Sequence, residues 1–216
     1  MIQSFKEKYN YKTYHINKVN DMRYYCVSED VNVPSVTSIL RKTNDKSINL
    51  FQHKFNTDSI EIGNFMHKYL EHYVSKNVDF FDKSENYIIA KKLAELVIDN
   101  FIDNIEEIWG TEVSVLYKNA YAGTIDLIGM IDGKLCLVDY KSSYRHKSRV
   151  EMEEYFLQLA AYSLAHDWQY DTKIDSIIVF LAIRNGQFEK TSISLDELDT
   201  YKLKWLSRLE KFHKGI

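Results

Sequence analysis

Residues 121–141, YAGTIDLIGMIDGKLCLVDYK, leave this chain few options. They read as two strands around an Asp132-Gly133 turn, since Asp-Gly between alternating apolar runs marks a two-residue type I′ hairpin. Such a turn sets the register. Ile131 faces Lys134, Met130 faces Leu135, and counting on places Asp126 opposite Asp139. Lys141, two residues past Asp139, points to the same face. Two carboxylates about 5 Å apart, at an effective dielectric of about 20, repel by about 3 kcal/mol. Either the face is solvated and the lysine pairs with one acid, or a hard cation that takes carboxylate oxygens sits there.

Composition narrows the setting. The 216 residues suit one domain, are 45% hydrophobic and carry a formal net charge of −3. That balance excludes a protein coated with positive charge but not a local basic groove. One proline and seven glycines leave no room for a long flexible linker. No apolar run approaches the ~20 residues of a membrane span. The opening MIQSFKEKYNYK has no apolar core of a signal peptide, so a cytoplasmic location is expected. Cys26 and Cys136 form no CxxC pair and read as reduced thiols rather than zinc or iron–sulfur ligands.

Along the chain, YKTYHINKV and MRYYCVS flank an Asn20-Asp21 turn as a tyrosine-rich hairpin. Pro34-Ser35 opens a short helix over about 36–42; Thr37 and Ser38 either cap it or touch phosphate. Helical spacing over 60–74 puts Ile62, Phe65, Met66, Tyr69, Leu70 and Tyr73 inward, with Gly63, His67 and Glu71 as a second row. Taken alone, His67 pairs with Glu71 one turn on. A long helix is expected over 86–108, opened by a capping box at Asp82 and Glu85. Strand 111–118 places Val113, Val115 and Tyr117 on one face and Glu112 on the other, either solvated at an edge or joining the aspartates.

After Lys141, SSYRHKSR is basic without an acid, and reads as a solvated loop or as a contact for an anionic polymer. A helix over 151–167 packs Phe156, Leu159, Ala160 and Leu164, with Gln158 and Tyr162 stacked on the next face. A second hairpin over 174–194 turns at Asn185-Gly186, and its run Ile177–Ile183 suits a strand buried on both faces. Ser194 to Glu197 forms a capping box for a last helix, with Leu198, Tyr201, Leu203, Trp205 and Leu209 apolar and a basic end at Arg208, Lys211 and Lys214.

In this order, His67, Asp126 in GTIDLIG, Asp139-Tyr140-Lys141 in LVDYKSS, and Gln158-Leu-Ala-Ala-Tyr162 resemble the PD-(D/E)XK nucleases of the RecB-like and Cas4-like branch. PSVTSIL at Pro34–Leu40 looks most like the mitochondrial genome maintenance exonucleases and their phage relatives. The resemblance covers about residues 33–184. It implies an α/β (α+β) fold with a central mixed sheet flanked by helices, formed by the 111–118 strand, the 121–141 hairpin and the 174–194 strands. A single domain would carry a helical elaboration over about 35–108, a catalytic core over about 111–194 and a C-terminal helix over about 195–213. The helical region from 60 to 110 could arch over a single strand.

The resemblance also implies roles. Asp126, Asp139, His67 and the Tyr140 backbone carbonyl would ligate one or two Mg²⁺ or Mn²⁺ ions, with Glu112 as a further acid. Lys141 would be the catalytic lysine, and Gln158 and Tyr162 the QxxxY pair of the site. Ser142, Ser143, Arg145, Lys147 and Arg149 would meet DNA, and tyrosines near the cleft would stack bases. No four-cysteine iron–sulfur set or helicase phosphate loop is present in the sequence. The expected activity is metal-dependent exonucleolytic hydrolysis of single-stranded or end-bearing DNA in bacterial or phage replication, recombination or repair, with proteins of those processes as candidate partners. The alternatives are a structure-specific or restriction-like endonuclease and a non-cleaving DNA-binding protein.

Overall fold

The structure, a computed structural model, describes residues 5–44, 57–76 and 82–215. At the Asp132-Gly133 turn both residues adopt positive φ, 52° and 68°, as a type I′ reversal requires. Strands β5 (Tyr121–Ile131) and β6 (Lys134–Ser143) pair from Ile131↔Lys134 to Leu127↔Val138, the register that a two-residue turn dictates. Strand β4 (Glu107–Tyr117) pairs antiparallel with the other edge of β5. Helix α4 (Glu153–Tyr170) carries the chain back so that β7 (Ser176–Ile183) lies parallel to β6, and β8 (Phe188–Ile193) closes the edge antiparallel. The result is a mixed sheet of order β4-β5-β6-β7-β8. All eight residues of β7 are buried, as expected of a strand covered on both faces.

A smaller sheet precedes it. Strands β1 (His15–Val19) and β2 (Met22–Ser28) form the expected hairpin, with Asn20 and Asp21 at φ 48° and 61°. Strand β3 (Val31–Pro34) joins β2 and was not expected. It is four residues long, too short for alternation to show. Ser35 then caps α1 (Val36–Thr43) by accepting the Ser38 amide. Helices α2 (Thr57–Ser75) and α3 (Glu85–Asn100) pack on one face of the large sheet, against Leu127, Val138, Ile178 and Phe180. Helices α1, α4 and α5 (Leu195–Lys214) pack on the other, against Val113, Val115, Leu137 and Val179. Of the stretch expected to be helical over 35–108, residues 45–56 and 77–81 lie outside the described residues. Among the described residues no helix is long and apolar enough to cross a membrane.

Several expectations are corrected. Helix α3 stops at Asn100; Ile102–Asn104 form a 3₁₀ turn, and Ile108 belongs to β4. Phe101, Ile105 and Ile108 keep a helical spacing, but the short polar pairs Asp99-Asn100 and Asp103-Asn104 favour non-helical backbone. Ser84 caps α3, not Asp82, which instead accepts the Ser84 amide at 2.7 Å. The Ser194 side chain makes no cap bond, and Leu203 is 70% exposed. The turn at Asn185-Gly186 holds three residues. The Gly186 amide donates to the Ile183 carbonyl, Ile183 pairs with Gln187, and Gly186 supplies the left-handed residue at φ 85°.

The packing of β5 against α4 gives a direct test. A Cβ on Gly123 would lie 2.1 Å from Cε1 of the buried Tyr162 ring. Gly123→Ala should lower stability by about 1–3 kcal/mol, as overpacking of a filled core does. Thermal or urea unfolding would measure it, and an unchanged midpoint would contradict this packing.

Candidate active site

Helix α2 descends along β6 in matched steps. Four helical residues rise about 6 Å, close to the rise of two strand residues. Ser59 Oγ lies 3.4 Å from the Tyr144 hydroxyl, a Cβ on Gly63 would meet Ser142 Oγ at 3.8 Å, and the His67 ring stands edge-on to Tyr140 at 6.3 Å. Ser59, Gly63 and His67 thus face the C-terminal end of β6, while Glu71 lies towards Thr111 and Glu112 of β4. His67 Nδ1 lies 3.4 Å from Asp126 Oδ2 and 3.8 Å from Glu112 Oε1. The expected pairing with Glu71 is replaced by these two, because the strands bring carboxylates to the imidazole from outside its own helix. Glu71 lines the same cleft.

The sheet is irregular where these acids sit. Bonding between β5 and β6 ends at Leu127↔Val138, and the Asp126 carboxylate takes the Tyr140 amide at 2.7 Å. Ile125 packs with the α4 side and Leu127 with the α2 side, yet Ile128 is again on the α4 side, so strict alternation breaks at Asp126. Across the β4–β5 pair, Glu112 adopts φ 50°, a left-handed conformation unusual for a residue with a Cβ. Such backbone persists where surrounding structure enforces it and concentrates at functional sites. Glu112 lies opposite Asp126 in the β4–β5 register, and ligand atoms of His67, Glu112 and Asp126 lie within 4.8 Å of one another.

Asp139 adjoins this trio and is 1% exposed. Its Oδ1 accepts from Lys141 Nζ at 2.5 Å and from Gln158 Nε2 at 3.0 Å, while its Oδ2 is buried with no hydrogen-bond partner. Burial, opposed by Lys141 and reinforced by Asp126, pushes the Asp139 carboxyl up to about 6. Burial also opposes charge on Asp126, but His67, Lys141 and the Tyr140 amide together hold it below the usual range. Burial of His67 disfavours the imidazolium, yet attraction and hydrogen bonding to Asp126, then to Glu112, lift it to about 10. Glu112 is raised, chiefly by burial.

A cleft of about 470 Å³ opens over these groups. Tyr162 and Gln158 line it from α4, Lys141 from β6, and Thr37 from α1. Ser38 is buried in the cap network of Ser35 and does not reach it. Arg23, Tyr25, Asn64, Lys68 and Thr124 also line the cleft, and sequence reasoning missed them. Arg23 and Tyr25 come from the small sheet, which meets the large one only in three dimensions, whereas Asn64 and Lys68 form the helical row beside Gly63 and His67, and Thr124 lies two residues before Asp126 on β5. Downstream, the basic segment is largely neutralised. Arg145 pairs with Glu151, Arg149 with Glu197, and Lys147 lies 5.7 Å over the Tyr155 ring that also receives Lys141 at 5.2 Å. Ser142 sits on the α2 seam, whereas Ser143 is buried and donates to the Arg145 carbonyl.

A family model described as the PD-(D/E)XK nuclease superfamily matches residues 41–215. The chain belongs to this superfamily. Mitochondrial genome maintenance exonuclease 1 of Homo sapiens is 23% identical over 83% of this chain and 58% of its own length. The Mus musculus protein of that name is 25% identical over 83% and 59%. The chain thus spans less than three-fifths of these relatives. A solved structure from Eubacterium rectale, named only provisionally as an exonuclease, aligns over 79% of this chain and 73% of its own, with TM-score 0.49 and 12% identity.

PD-(D/E)XK nucleases use divalent metals, and the residues present fit one. The donors are an imidazole nitrogen and carboxylate oxygens, held close enough to converge with small adjustment, beside an orphaned buried carboxylate oxygen.

The imidazole supplies a pH test. A histidine raised from 6.5 to about 10 contributes stability that is complete below 6.5 and lost as pH rises through 10. In metal-free protein the unfolding midpoint should therefore fall over this range, and fall less in His67→Gln. Equal slopes for the two proteins would show that His67 is not charged in the folded state.

Proposed function

We propose that this PD-(D/E)XK chain is a divalent-metal-dependent DNA exonuclease, acting on strands that present an end, in bacterial or phage DNA replication, recombination or repair. The observation that carries the reading is the buried, unpartnered Oδ2 of Asp139 beside the His67–Glu112–Asp126 trio, with Lys141 on the other oxygen of the same carboxylate. A buried carboxylate oxygen left without a partner beside further carboxylates calls for a cation. The exonuclease names of the curated relatives favour attack at ends.

In this reading His67, Asp126, Asp139 and the Tyr140 carbonyl hold one or two Mg²⁺ or Mn²⁺ ions, with Glu112 as a further ligand. The bound cation supplies a lowered water pKa and neutralises charge on the scissile phosphate. Asp126 is fixed by the Tyr140 amide, so its carboxylate is held in place before any ligand arrives. Gln158 does the same for Asp139. His67 gives up its proton to become a ligand, which couples ion binding to proton release. Lys141 points from Asp139 into the cleft, where its ammonium orients the attacking water or meets the charge that develops on the phosphate. Tyr162 closes the far wall against Gly123. Lys147 and Ser142 are left to meet the flanking backbone.

Lys141→Ala and Asp126→Asn should each reduce cleavage of a linear DNA by at least about 100-fold, the scale of losing one preorganised charge-stabilising group. Both should stay folded, since a buried Asp139 without its lysine takes up a proton rather than remain charged. EDTA should abolish cleavage, and Mn²⁺ should restore it at least as well as Mg²⁺ because the donor set includes an imidazole. Near-full activity in both variants, or cleavage in EDTA, ends the reading.

Substrate topology separates the remaining possibilities. An end-labelled linear strand should be degraded while a covalently closed circle of the same sequence survives. Cutting of the circle would identify an endonuclease. Binding without cleavage of either would identify a DNA-binding protein on a nuclease scaffold.

A further inference from the structure

The seam between α2 and β6 continues past the carboxylates. One step above His67 and Tyr140 lie Gly63 and Ser142, where the helix offers no side chain and the strand a small one. One step further stands Tyr144, three residues beyond Lys141, or about 10 Å along an extended chain. Tyr144 is 62% exposed, although the segment around it is otherwise polar. Its ring is held from two sides. The Arg184 guanidinium lies 4.4 Å from the ring centroid, and the hydroxyl reaches Ser59 in the first turn of α2. The Arg184 amide in turn donates to the Ser143 carbonyl at 2.9 Å, tying the end of β7 to the end of β6.

An exposed aromatic is usually unremarkable by itself. Here the ring is braced, backed by a cation, and placed on the same α2–β6 seam as the candidate active site. We propose that Tyr144 is a stacking platform for a nucleobase of the bound strand, with Arg184 as its backing. The inference rests on the reading of the chain as a DNA hydrolase and adds where the strand goes once it leaves the cleft. Every base has a π-face, so such a platform holds a strand without reading its sequence. A base in a duplex is already stacked, so the platform favours unpaired strands. The neighbouring arginines 145 and 149, neutralised by Glu151 and Glu197, contribute less to phosphate tracking than their sequence suggests, which leaves more of the hold to stacking.

The test measures equilibrium binding of two probes without added divalent metal: a single-stranded oligothymidylate and an oligomer of the same length built entirely from abasic units. Tyr144→Ala should weaken oligothymidylate binding by roughly 5- to 100-fold, the loss expected of one stacked base. It should leave abasic binding within about twofold of the unaltered protein. Tyr144→Phe, which lacks only the hydroxyl, should bind as the unaltered protein does, and Tyr144→Trp at least as tightly. Unfolding midpoints within error of the parent exclude a folding defect. If Tyr144→Ala binds oligothymidylate normally, or loses equal affinity for both probes, or if the unaltered protein prefers neither probe, the proposal is overturned. The nuclease reading stands or falls separately, on whether the unaltered protein cleaves a linear strand when Mg²⁺ or Mn²⁺ is added.

Discussion

Everything in the site depends on the bond between the Asp126 carboxylate and the Tyr140 amide. It closes the β5–β6 hairpin where backbone pairing has stopped, and it does so with a side chain that also faces His67. Repulsion between two buried aspartates would otherwise open this end of the hairpin. Four groups balance it: imidazolium against Asp126, ammonium against Asp139. Each base is raised by the acid it faces, and the acids diverge, Asp126 held low and Asp139 pushed up. The cluster thus stays close to neutral in the metal-free protein without losing its carboxylate positions. That is a physical route to a preorganised cation site that can exist before the cation binds.

This preorganised site coincides with irregularities in the sheet pattern. In the β4–β5 register, Thr111↔Leu127 and Val113↔Ile125 flank Glu112 and Asp126, so the ladder itself sets these two acids opposite each other. The left-handed Glu112 and the broken alternation from Ile125 to Leu127 fall at this same pair, where both acids meet one imidazole. The energetic cost of such backbone is of order 1–3 kcal/mol per residue, and it is sustained by the buried strands on either side. Gly123 serves the same end by letting the Tyr162 ring lie flush on β5.

This explains which features were legible in the sequence. The Asp132-Gly133 turn is local chemistry with one dominant outcome, so the register near it and the Asp139–Lys141 pair could be read directly, whereas the ladder ends at Leu127↔Val138, one pair short of the expected Asp126 and Asp139. The continuous apolar run of β7 gave its central place for a similar reason. Glu112 was readable only as one of two options, since its role turns on a φ that no residue type announces. Helical spacing alone pairs His67 with Glu71 and says nothing of acids arriving from two strands; only the motif resemblance set His67 with the aspartates, and the imidazole lies against Asp126 and Glu112. The end of α3 was overrun because Phe101, Ile105 and Ile108 are buried for tertiary reasons while keeping a helical period. Arg23 and Tyr25 were invisible because they come to the cleft through contact between two sheets.

The seam of α2 on β6 joins these strands of argument. A row of residues every fourth position on a helix and every second on a strand share nearly the same pitch, so a single docking angle sets several contacts at once. His67 reaches Asp126 only if Gly63 lies over Ser142 and Ser59 over Tyr144. The helix is therefore not an appendage to the sheet that carries Lys141. Its docking decides both whether the imidazole meets the carboxylates and where an exposed aromatic stands relative to them. A shift of one helical turn would move His67 by about 5.4 Å and disassemble the trio, while leaving the apolar face of α2 still buried. What resists that shift is the bulk of Met66 and Leu70 in the core beside the charge pairing of His67, so packing and electrostatics select the same register.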